Sequence, residues 1–286
     1  MITSRNKKVS VVVPNYNYSK YIGRRIDSIM RQTYPIYELI VLDDCSTDNS
    51  VDVIEKKLVE VRENHPEVKI SFVKNEKNSG KAIAQWKKGF ELATGDYVWI
   101  AEADDLSSRK FLEEVMRGFD ASGVVLSYAE SAIINSWGLM IAPNFRWSRD
   151  KEKTGHYKDS YVKEGKKEIE EILAIRCTIP NVSSVVFKKD KKVLEYLDEA
   201  LRFTQVGDWY FYTKVLENGK ISYDRRALNR FRVHKGSVTN DSKKAKRHYD
   251  EIIEAHDYFK KNYELSDMAL KRMKAEEKRV AERIRG

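Results

Sequence analysis

The first 105 residues alternate short apolar runs with helical patterns, and this alternation constrains the fold more than any other feature. The apolar runs are 9–13, 38–42, 69–73 and 97–101. Their Val and Ile content is typical of short strands that are buried on both faces. Strands that alternate with helices in this way predict an α/β fold, in which helices flank a doubly wound, mostly parallel sheet.

Polar or acidic loops follow three of these predicted strands. Pro14-Asn15-Tyr16 follows the first strand, Asp43-Asp44 the second and Glu102-Ala103-Asp104-Asp105 the fourth. Sheets of this kind bind ligands outside the carboxyl ends of their strands, and all three loops lie at that edge. The sequence therefore predicts a binding site on one rim of the sheet.

The pattern is less regular in the remainder of the chain. Residues 124–128, 183–187 and 228–233 predict strands, and residues 169–175 and 209–216 predict helices. Residues 135–165 are rich in Trp, Gly, Asn, Lys and Arg, which is typical of a long, mobile loop.

From Ser242 onward the sequence predicts two helices that are dense in Lys and Arg. Each has an apolar stripe, formed by Tyr249, Ile252, His256 and Phe259 in the first helix and by Met273, Val280 and Ile284 in the second. A basic helical pair of this kind can lie on an anionic membrane surface, present a solvated face, or link to a further catalytic domain.

Composition excludes several classes of protein. The net charge of +9 favours anionic partners in general, including phosphate-rich ligands, nucleic acid and acidic lipid. The two cysteines, Cys45 and Cys177, match no zinc motif and cannot form a disulfide framework, so we expect reduced thiols. No apolar run reaches the roughly 20 residues that span a bilayer, and the polar N-terminus is unlike a signal peptide. We therefore expect a cytoplasmic protein, in at most peripheral contact with the inner face of the membrane.

The acidic residues at 102–105 form a candidate metal site. Mg²⁺ and Mn²⁺ favour carboxylate oxygens, and diphosphate oxygens can fill their other coordination positions. A cation also relieves the repulsion between neighbouring carboxylates at a strand end. The alternative is a solvated loop that caps the helix containing Phe111 and Val115.

Asp44 and Tyr16 are candidate contacts to a nucleotide base. Asp44 can accept the N3–H of uracil or thymine, and Tyr16 can stack on a base. Alternatively, Asp43 or Asp44 caps the helix after Ser46, and Tyr16 packs within its loop. The sequence contains no Gly-rich phosphate loop of the NTPase or dehydrogenase type, which argues against both classes.

Two later segments add further candidates. Asp208 precedes an aromatic helix, where a partly desolvated carboxylate can deprotonate a hydroxyl group, or can cap the helix instead. His234 can bind a metal such as Mn²⁺, although an ordinary surface histidine is the alternative. Arg232 can bind a diphosphate through its planar guanidinium group.

Together these segments resemble the family 2 glycosyltransferases, which have the GT-A fold. The similarity extends from Val9 to about Thr239. Residues 9–17 resemble that family's first strand and nucleotide loop, residues 39–48 its acidic second element, and residues 80–105 the segment that leads to its DxD-type motif. Because the segments occur in the family's order, the combined match is highly specific.

The resemblance implies a role for each matching residue. It implies that Asp104 and His234 bind Mn²⁺ or Mg²⁺ and that Asp208 is the catalytic carboxylate. It places a group of residues around the nucleotide donor: Pro14 and Tyr16 at the base, Asp44 bonded to it, Lys81 and Glu102 beside the donor, and Arg232 at the phosphates. Glu102 occupies the first motif position, where Asp is usual, and we expect it on the ribose side.

The resemblance also implies an activity. It indicates an inverting, metal-dependent glycosyltransferase that uses a nucleotide-diphosphate sugar, with UDP or dTDP favoured. The implied acceptor is a hydroxyl of a glycan or lipid-linked saccharide in bacterial surface polysaccharide biosynthesis, and no nucleic acid is involved. The alternatives are an inactive nucleotide- or carbohydrate-binding module, which the joint presence of Asp104, Asp208 and His234 disfavours, and a sugar nucleotidyltransferase, which the 15–17 loop disfavours.

The same resemblance suggests how the chain is divided. We expect a glycosyltransferase domain at 1–240, with a nucleotide-binding half at about 1–105 and an acceptor half at about 106–240, followed by a basic helical extension at 241–286. In the acceptor half, Trp137, Trp147 and Tyr157 make the 135–165 loop a candidate lid and acceptor platform, or else it is a disordered surface loop. Residues 243–286 are the candidate for membrane contact or for the link to a larger multidomain enzyme.

Overall fold

The computed structural model describes residues 7–150, 154–234 and 242–285. Strands and helices alternate through its first part: β1 (Val9–Asn15), α1 (Ser19–Met30), β2 (Glu38–Asp43), α2 (Ser50–Asn64), β3 (Lys69–Lys74), α3 (Ala82–Leu92) and β4 (Tyr97–Ile100). β1 pairs in parallel with β2 and β4, and β2 pairs in parallel with β3. The predicted α/β arrangement is confirmed.

The next part of the chain widens this sheet. Its elements are β5 (Leu106–Ser107), α4 (Phe111–Arg117), β6 (Val124–Ile134), β7 (Met140–Ala142), α5 (Arg146–Arg149), β8 (Tyr161–Glu164), α6 (Gly165–Glu168), β9 (Val185–Lys188), α7 (Lys192–Ala200), α8 (Gly207–Leu216) and β10 (Lys220–Arg232). The strand order is β3-β2-β1-β4-β9-β6-β10-β5, with β7 beside β6 and β8 beside β10. β9 is antiparallel to both β4 and β6 and joins the two halves of the sheet.

Apolar side chains cover both faces of the sheet. Val11 and Val13 belong to one buried cluster, and Val12 belongs to the other, because successive side chains of a strand point to opposite faces. Gly89 allows α3 to lie close to β1, since a Cβ atom at this position would overlap the side chain of Val12. Helices therefore pack closely on the strands that lead to the predicted rim.

The bounds of two strands differ most from the prediction. β6 continues to Ile134 instead of ending at residue 128, and β10 begins at Lys220 instead of 228. The two strands pair in parallel over this whole length, and β10 carries a bulge at 224–227 beside the exposed Arg225 and Arg226. Because these residues are charged, a prediction based on apolar runs does not detect this part of the strand. α3 begins at Ala82, and Gly80, which has a φ of 71°, lies outside the helix.

The prediction of a long loop at 135–165 is wrong where the segment forms three short elements, β7, α5 and β8. Tyr157, proposed as part of an acceptor platform, is buried, with the guanidinium group of Arg149 4.1 Å from its ring centre. Trp137, by contrast, is highly exposed. The side chain of Trp147 lies outside the described part of the structure, and so does Thr239, where the family resemblance ends.

The two predicted C-terminal helices are α9 (Ser242–Asn262) and α10 (Asp267–Arg285). Their apolar residues Ile252, Phe259 and Met273 are buried in the same cluster as α8. The ring centres of Phe259 and Trp209 lie 5.3 Å apart. Both helices thus pack on the sheet domain through their apolar stripes. Among the described residues, no helix has the length and apolar character that crossing a bilayer requires.

Candidate active site

A cavity of about 540 Å³ lies at the carboxyl ends of β1, β2 and β4. All the residues predicted to bind a donor line it, together with the predicted base and one predicted metal ligand: Pro14, Tyr16, Asp44, Lys81, Glu102, Asp104, Asp208 and Arg232. His234 contacts a residue of the cavity wall, because its Nε2 lies 3.0 Å from Oδ2 of Asp104. The fold therefore brings together residues from distant parts of the chain.

Asp43 joins the first two loops of this rim. Its Oδ1 accepts a hydrogen bond from Asn15 Nδ2 at 2.8 Å, and its Oδ2 accepts the N–H of Ser46 at 2.9 Å. Asn17 Oδ1 in turn accepts the N–H of Thr47 at 2.8 Å. Asp43 therefore holds the loops that follow β1 and β2, and it does not line the cavity wall described above.

Asp44 lies in the cavity wall but already has several partners. Its Oδ1 accepts hydrogen bonds from Asn75 Nδ2 at 2.7 Å and Gln85 Nε2 at 2.8 Å. Its Oδ2 accepts from Ser79 Oγ at 2.7 Å. A carboxylate offers about four acceptor positions, so most of this capacity is used within the protein. Asp44 thus also positions the 75–85 segment, a role that its sequence context does not reveal.

Glu102 is anchored by an indole group. Its Oε1 accepts a hydrogen bond from Trp86 Nε1 at 2.7 Å, and its main-chain N–H donates to Ser183 Oγ at 3.1 Å. Burial and the nearby charge of Asp104 raise the pKa of Glu102 to about 8, although the Trp86 hydrogen bond opposes this change. Trp86 lies in α3, and an aromatic residue at helical spacing carries no separate sequence signal of a site.

Asp104 and His234 form the candidate metal site. The rings of Tyr18 and Tyr21 each lie 5.5 Å from the imidazole, between ring centres, and limit its position. Within the described residues, no cluster of three or more carboxylate, imidazole or thiol groups could enclose a metal. A carboxylate and an imidazole nevertheless fit Mn²⁺ or Mg²⁺, because these ions take further oxygen ligands from a bound diphosphate.

Arg232 fastens the end of β10 to the acidic loop. Its main-chain N–H donates to Asp105 Oδ1 at 2.9 Å, and its Nε donates to the carbonyl oxygen of Asp104 at 2.5 Å. Its Nη1 donates to the carbonyl oxygen of Asn135 at 2.9 Å. The buried guanidinium group therefore positions Asp104, in addition to the phosphate contact expected from the sequence. Asn181 supports the same loop from the other side, since its Nδ2 donates to Asp105 Oδ2 at 2.5 Å.

Lys81 also has a partner within the protein. Its Nζ donates to the carbonyl oxygen of Leu201, which follows α7. The lysine therefore connects the start of α3 to the end of α7 while it lines the cavity. Other lining residues were not singled out from the sequence, because they lie on loops without a motif: Tyr18, Asn78, Pro180, Asn181 and Val182.

Asp208 lies in the first turn of α8, and the cap position of that helix is Val206. The alternative assignment of Asp208 as the N-cap is therefore wrong. Its Oδ1 accepts the N–H of Trp209 at 2.8 Å. Burial raises the pKa of Asp208 to about 6, and the Trp209 hydrogen bond partly opposes this shift. A carboxylate with this pKa is ionised at neutral pH and is more basic than an exposed aspartate.

Residues 10–164, more than half of the chain, match the model of glycosyl transferase family 2. A putative teichuronic acid biosynthesis glycosyltransferase of Bacillus subtilis, TuaG, is 36% identical over 115 residues, which are 40% of this chain and 42% of that relative. The chain spans less than half the length of this and two further curated relatives that it matches.

Two solved structures share the fold. Staphylococcus aureus TarS 1–349 in complex with UDP-GlcNAc has a TM-score of 0.64 and 20% identity, and the match covers 97% of this chain and 71% of that one. A mannosyltransferase of Pyrobaculum calidifontis in complex with GDP-Man and Mn²⁺ has a TM-score of 0.59 and 17% identity, with 96% and 75% covered. The predicted GT-A architecture is confirmed.

Proposed function

This chain belongs to glycosyl transferase family 2, and from that premise we propose that it is an inverting, metal-dependent glycosyltransferase. It transfers a sugar from a nucleotide diphosphate to a hydroxyl group of a glycan or lipid-linked saccharide. The observation that carries this proposal is the meeting of Asp44, Asp104 and Asp208 in one cavity, with His234 3.0 Å from Asp104.

The ligands of the related folds support a nucleotide-sugar donor. The TarS structure contains UDP-GlcNAc, and the mannosyltransferase structure contains GDP-Man. For this chain we infer UDP or dTDP, because a carboxylate such as that of Asp44 can accept the N3–H of uracil or thymine. Tyr16, which is partly exposed at the mouth of the cavity, is then available to stack on the base.

Asp104 and His234 are the proposed cation ligands. When bound, Mn²⁺ or Mg²⁺ neutralises negative charge on the diphosphate leaving group. The Mn²⁺ in the mannosyltransferase complex supports this assignment. Arg232 keeps Asp104 in place through its main-chain contacts, so the carboxylate faces the cavity before a donor arrives.

Asp208 is the proposed base. Its carboxylate accepts the proton of the acceptor hydroxyl as that oxygen forms a bond to the anomeric carbon. The bond between this carbon and the diphosphate oxygen breaks, and its electron pair leaves with the diphosphate. Because the oxygen attacks the face opposite the leaving group, the anomeric configuration is inverted. The raised pKa of Asp208, about 6, suits a general base that works near neutral pH.

The acceptor class follows from the relatives. TuaG is named for teichuronic acid biosynthesis, and curated TarS is named a poly(ribitol-phosphate) N-acetylglucosaminyltransferase. Both names refer to bacterial surface polymers. We infer that this chain also acts on an acceptor of that kind.

A donor screen tests the proposal. Nucleotide sugars are added with Mn²⁺, with Mg²⁺ or with EDTA, and thermal unfolding is measured. We expect a UDP- or dTDP-sugar to raise the unfolding temperature only with a cation, and the same donor to release its nucleoside diphosphate. Binding without release from any donor would indicate an inactive module, and pyrophosphate release from a nucleoside triphosphate and a sugar 1-phosphate would indicate a nucleotidyltransferase.

A further inference from the structure

The turn between β6 and β7 exposes an apolar surface. Trp137, Leu139, Met140 and Ile141, here called the hairpin patch, are 80%, 66%, 61% and 59% exposed. Single exposed apolar side chains are common, but four of them within one turn are typical of a contact site. The hairpin patch is therefore a candidate surface for an apolar partner.

The hairpin patch is held in a defined conformation. Asn135 Oδ1 accepts the N–H of Trp137 at 2.9 Å and that of Leu139 at 3.0 Å. Gly138 has a φ of 89°, which a residue with a side chain rarely adopts. Met140 pairs with Ile134 in an antiparallel register. Because the backbone is fixed in this way, a partner meets a preformed apolar surface.

Basic residues accompany the hairpin patch at the rim of the cavity. Arg232, which lines the cavity, donates from Nη1 to the carbonyl oxygens of Asn135 at 2.9 Å and Ser136 at 3.3 Å. Its guanidinium carbon also lies 4.7 Å from the ring centre of Tyr21 in α1. Lys20 and Arg24 are exposed and lie on the Tyr21 side of α1, one turn apart. Arg232 therefore connects the turn that contains the hairpin patch to the helix that contains Lys20 and Arg24.

We propose that the hairpin patch, with Lys20 and Arg24, is a docking surface for an anionic lipid bilayer. Trp is favoured at the boundary between headgroups and acyl chains, and flanking cations bind acidic headgroups. A bilayer accounts for both the apolar and the cationic side chains, whereas a two-fold contact of the hairpin patch with itself accounts only for the apolar ones. Because Arg232 both lines the cavity and contacts this turn, docking brings the cavity near the membrane surface, where the lipid-linked acceptor of the proposed function, on which this step rests, is presented.

Vesicle flotation tests this surface in the full chain. We expect binding to phosphatidylcholine vesicles that contain about one third phosphatidylglycerol, and much weaker binding to pure phosphatidylcholine. Trp137→Ser/Ile141→Ser should weaken binding by about tenfold or more, since burial of each side chain contributes to partitioning. Lys20→Glu/Arg24→Glu should lose the preference for anionic vesicles.

Matched controls come from surfaces away from the rim. Met268→Ser removes an exposed apolar residue of α10, and Lys166→Glu/Lys167→Glu reverses two exposed charges of α6. Both should bind vesicles like the parent. Vesicle binding equal to the parent in the hairpin and α1 variants, or no binding by the parent, would overturn the proposal. Dimers that dissociate in the Trp137→Ser/Ile141→Ser variant without any vesicle binding would identify a second copy as the partner instead.

Tryptophan fluorescence gives a second measurement. Trp86, Trp99 and Trp209 are buried, whereas Trp137 is exposed. Brominated lipids should therefore quench the parent more than Trp137→Phe, which keeps an apolar ring but lacks the fluorophore. Equal quenching would contradict insertion of Trp137. Donor-induced thermal shifts, measured on the same variants, report the nucleotide site separately, so failure of docking and failure of the proposed function are distinguishable.

Discussion

Asp104 and Asp208 are carboxylates of one cavity, but their surroundings differ. Asp104 lies 3.0 Å from the imidazole of His234, next to the acidic residues of the same loop. Asp208 accepts one main-chain N–H, from Trp209, and burial raises its pKa to about 6. Two carboxylates in different environments are suited to different tasks, cation binding for Asp104 and proton transfer for Asp208.

Asp208→Asn tests the base. The amide cannot accept a proton, so we expect turnover to fall by about a hundred- to ten-thousandfold. Donor affinity, measured by isothermal titration calorimetry, should change little, because the proposed donor contacts come from other residues. Thermal stability should not fall, since burial disfavours the charged form of Asp208. Undiminished turnover would remove Asp208 from the mechanism.

The pH dependence gives an independent test of the same residue. Burial raises the pKa of Asp208 to about 6, and the ionised form is the base. We therefore expect kcat/KM to fall about tenfold per pH unit below pH 6, and to level off above it. The decrease through this group should be absent from the residual activity of Asp208→Asn. A profile that is flat down to pH 5 in the parent would exclude a titrating Asp208 from catalysis.

Asp104 and His234 should act as a unit. If both bind the same cation, Asp104→Ala and His234→Ala each weaken Mn²⁺-dependent nucleotide binding, and the double variant loses less than the sum of the two. Calorimetry with UDP, in the presence of Mn²⁺ or EDTA, measures this coupling. Additive losses of affinity, or losses that persist in EDTA, would show that the two side chains do not bind the same cation.

At the scale of elements, α9 contributes to the active site although it lies far along the chain. Glu251 accepts the N–H of Thr204 at 2.9 Å, of Gln205 at 2.7 Å and of Val206 at 3.2 Å. These three residues precede the first turn of α8, which contains Asp208. A single buried carboxylate of α9 thus fixes the loop that sets the position of the proposed base.

Glu251→Ala should release this loop. It leaves three main-chain N–H groups without their acceptor, so we expect a lower unfolding temperature and a loss of about 1–3 kcal/mol of stability. Turnover should fall more than donor affinity, because the loop leads directly to Asp208 and does not contain the residues proposed to bind the nucleobase or the cation. Glu254→Ala is the matched control on the same helix, since Glu254 forms an exposed ion pair with Arg202. Equal effects of the two substitutions would argue against a positioning role.

At the scale of the whole molecule, the C-terminal helices share a core with the sheet. Ile252, Phe259, Met273 and Val280 are buried in the cluster that also contains Trp209. The division predicted at residue 240 therefore separates segments that are packed together. The domain boundary at residue 240 stays a prediction, and the stability of a chain that ends there can be measured.

A chain cut after residue 240 should fold poorly. Each large apolar side chain lost from the core costs about 1.5–3 kcal/mol, so several of them approach the whole stability of a typical domain. We expect loss of a cooperative thermal transition and of near-ultraviolet circular dichroism. Glu254→Ala in the full chain serves as the control for a surface change on α9. An unchanged unfolding temperature in the shortened chain would show that residues 1–240 form an independent domain.

Much of the fold follows from local sequence. The strands of the first part are confirmed because short runs of Val and Ile between helical patterns depend on neighbours only a few residues away. β10 is the counterexample, since its charged residues Arg225 and Arg226 are exposed at the bulge of a strand that is otherwise paired with β6. Where a strand is stabilised by pairing with another strand and lacks an apolar pattern, sequence analysis predicts a strand that is too short.

The sequence by itself determined the α/β class, the family and the set of candidate residues at the rim of the sheet. The tertiary structure alone decided what surrounds each of them: the partners of Asp44, the main-chain contacts of Arg232, the burial of Asp208 and the exposure of the hairpin patch. The physical reason is the distance along the chain over which each kind of information acts. Periodicity and motifs act within a few residues, whereas a pKa or a hydrogen-bond partner depends on groups that folding brings in from distant parts of the chain.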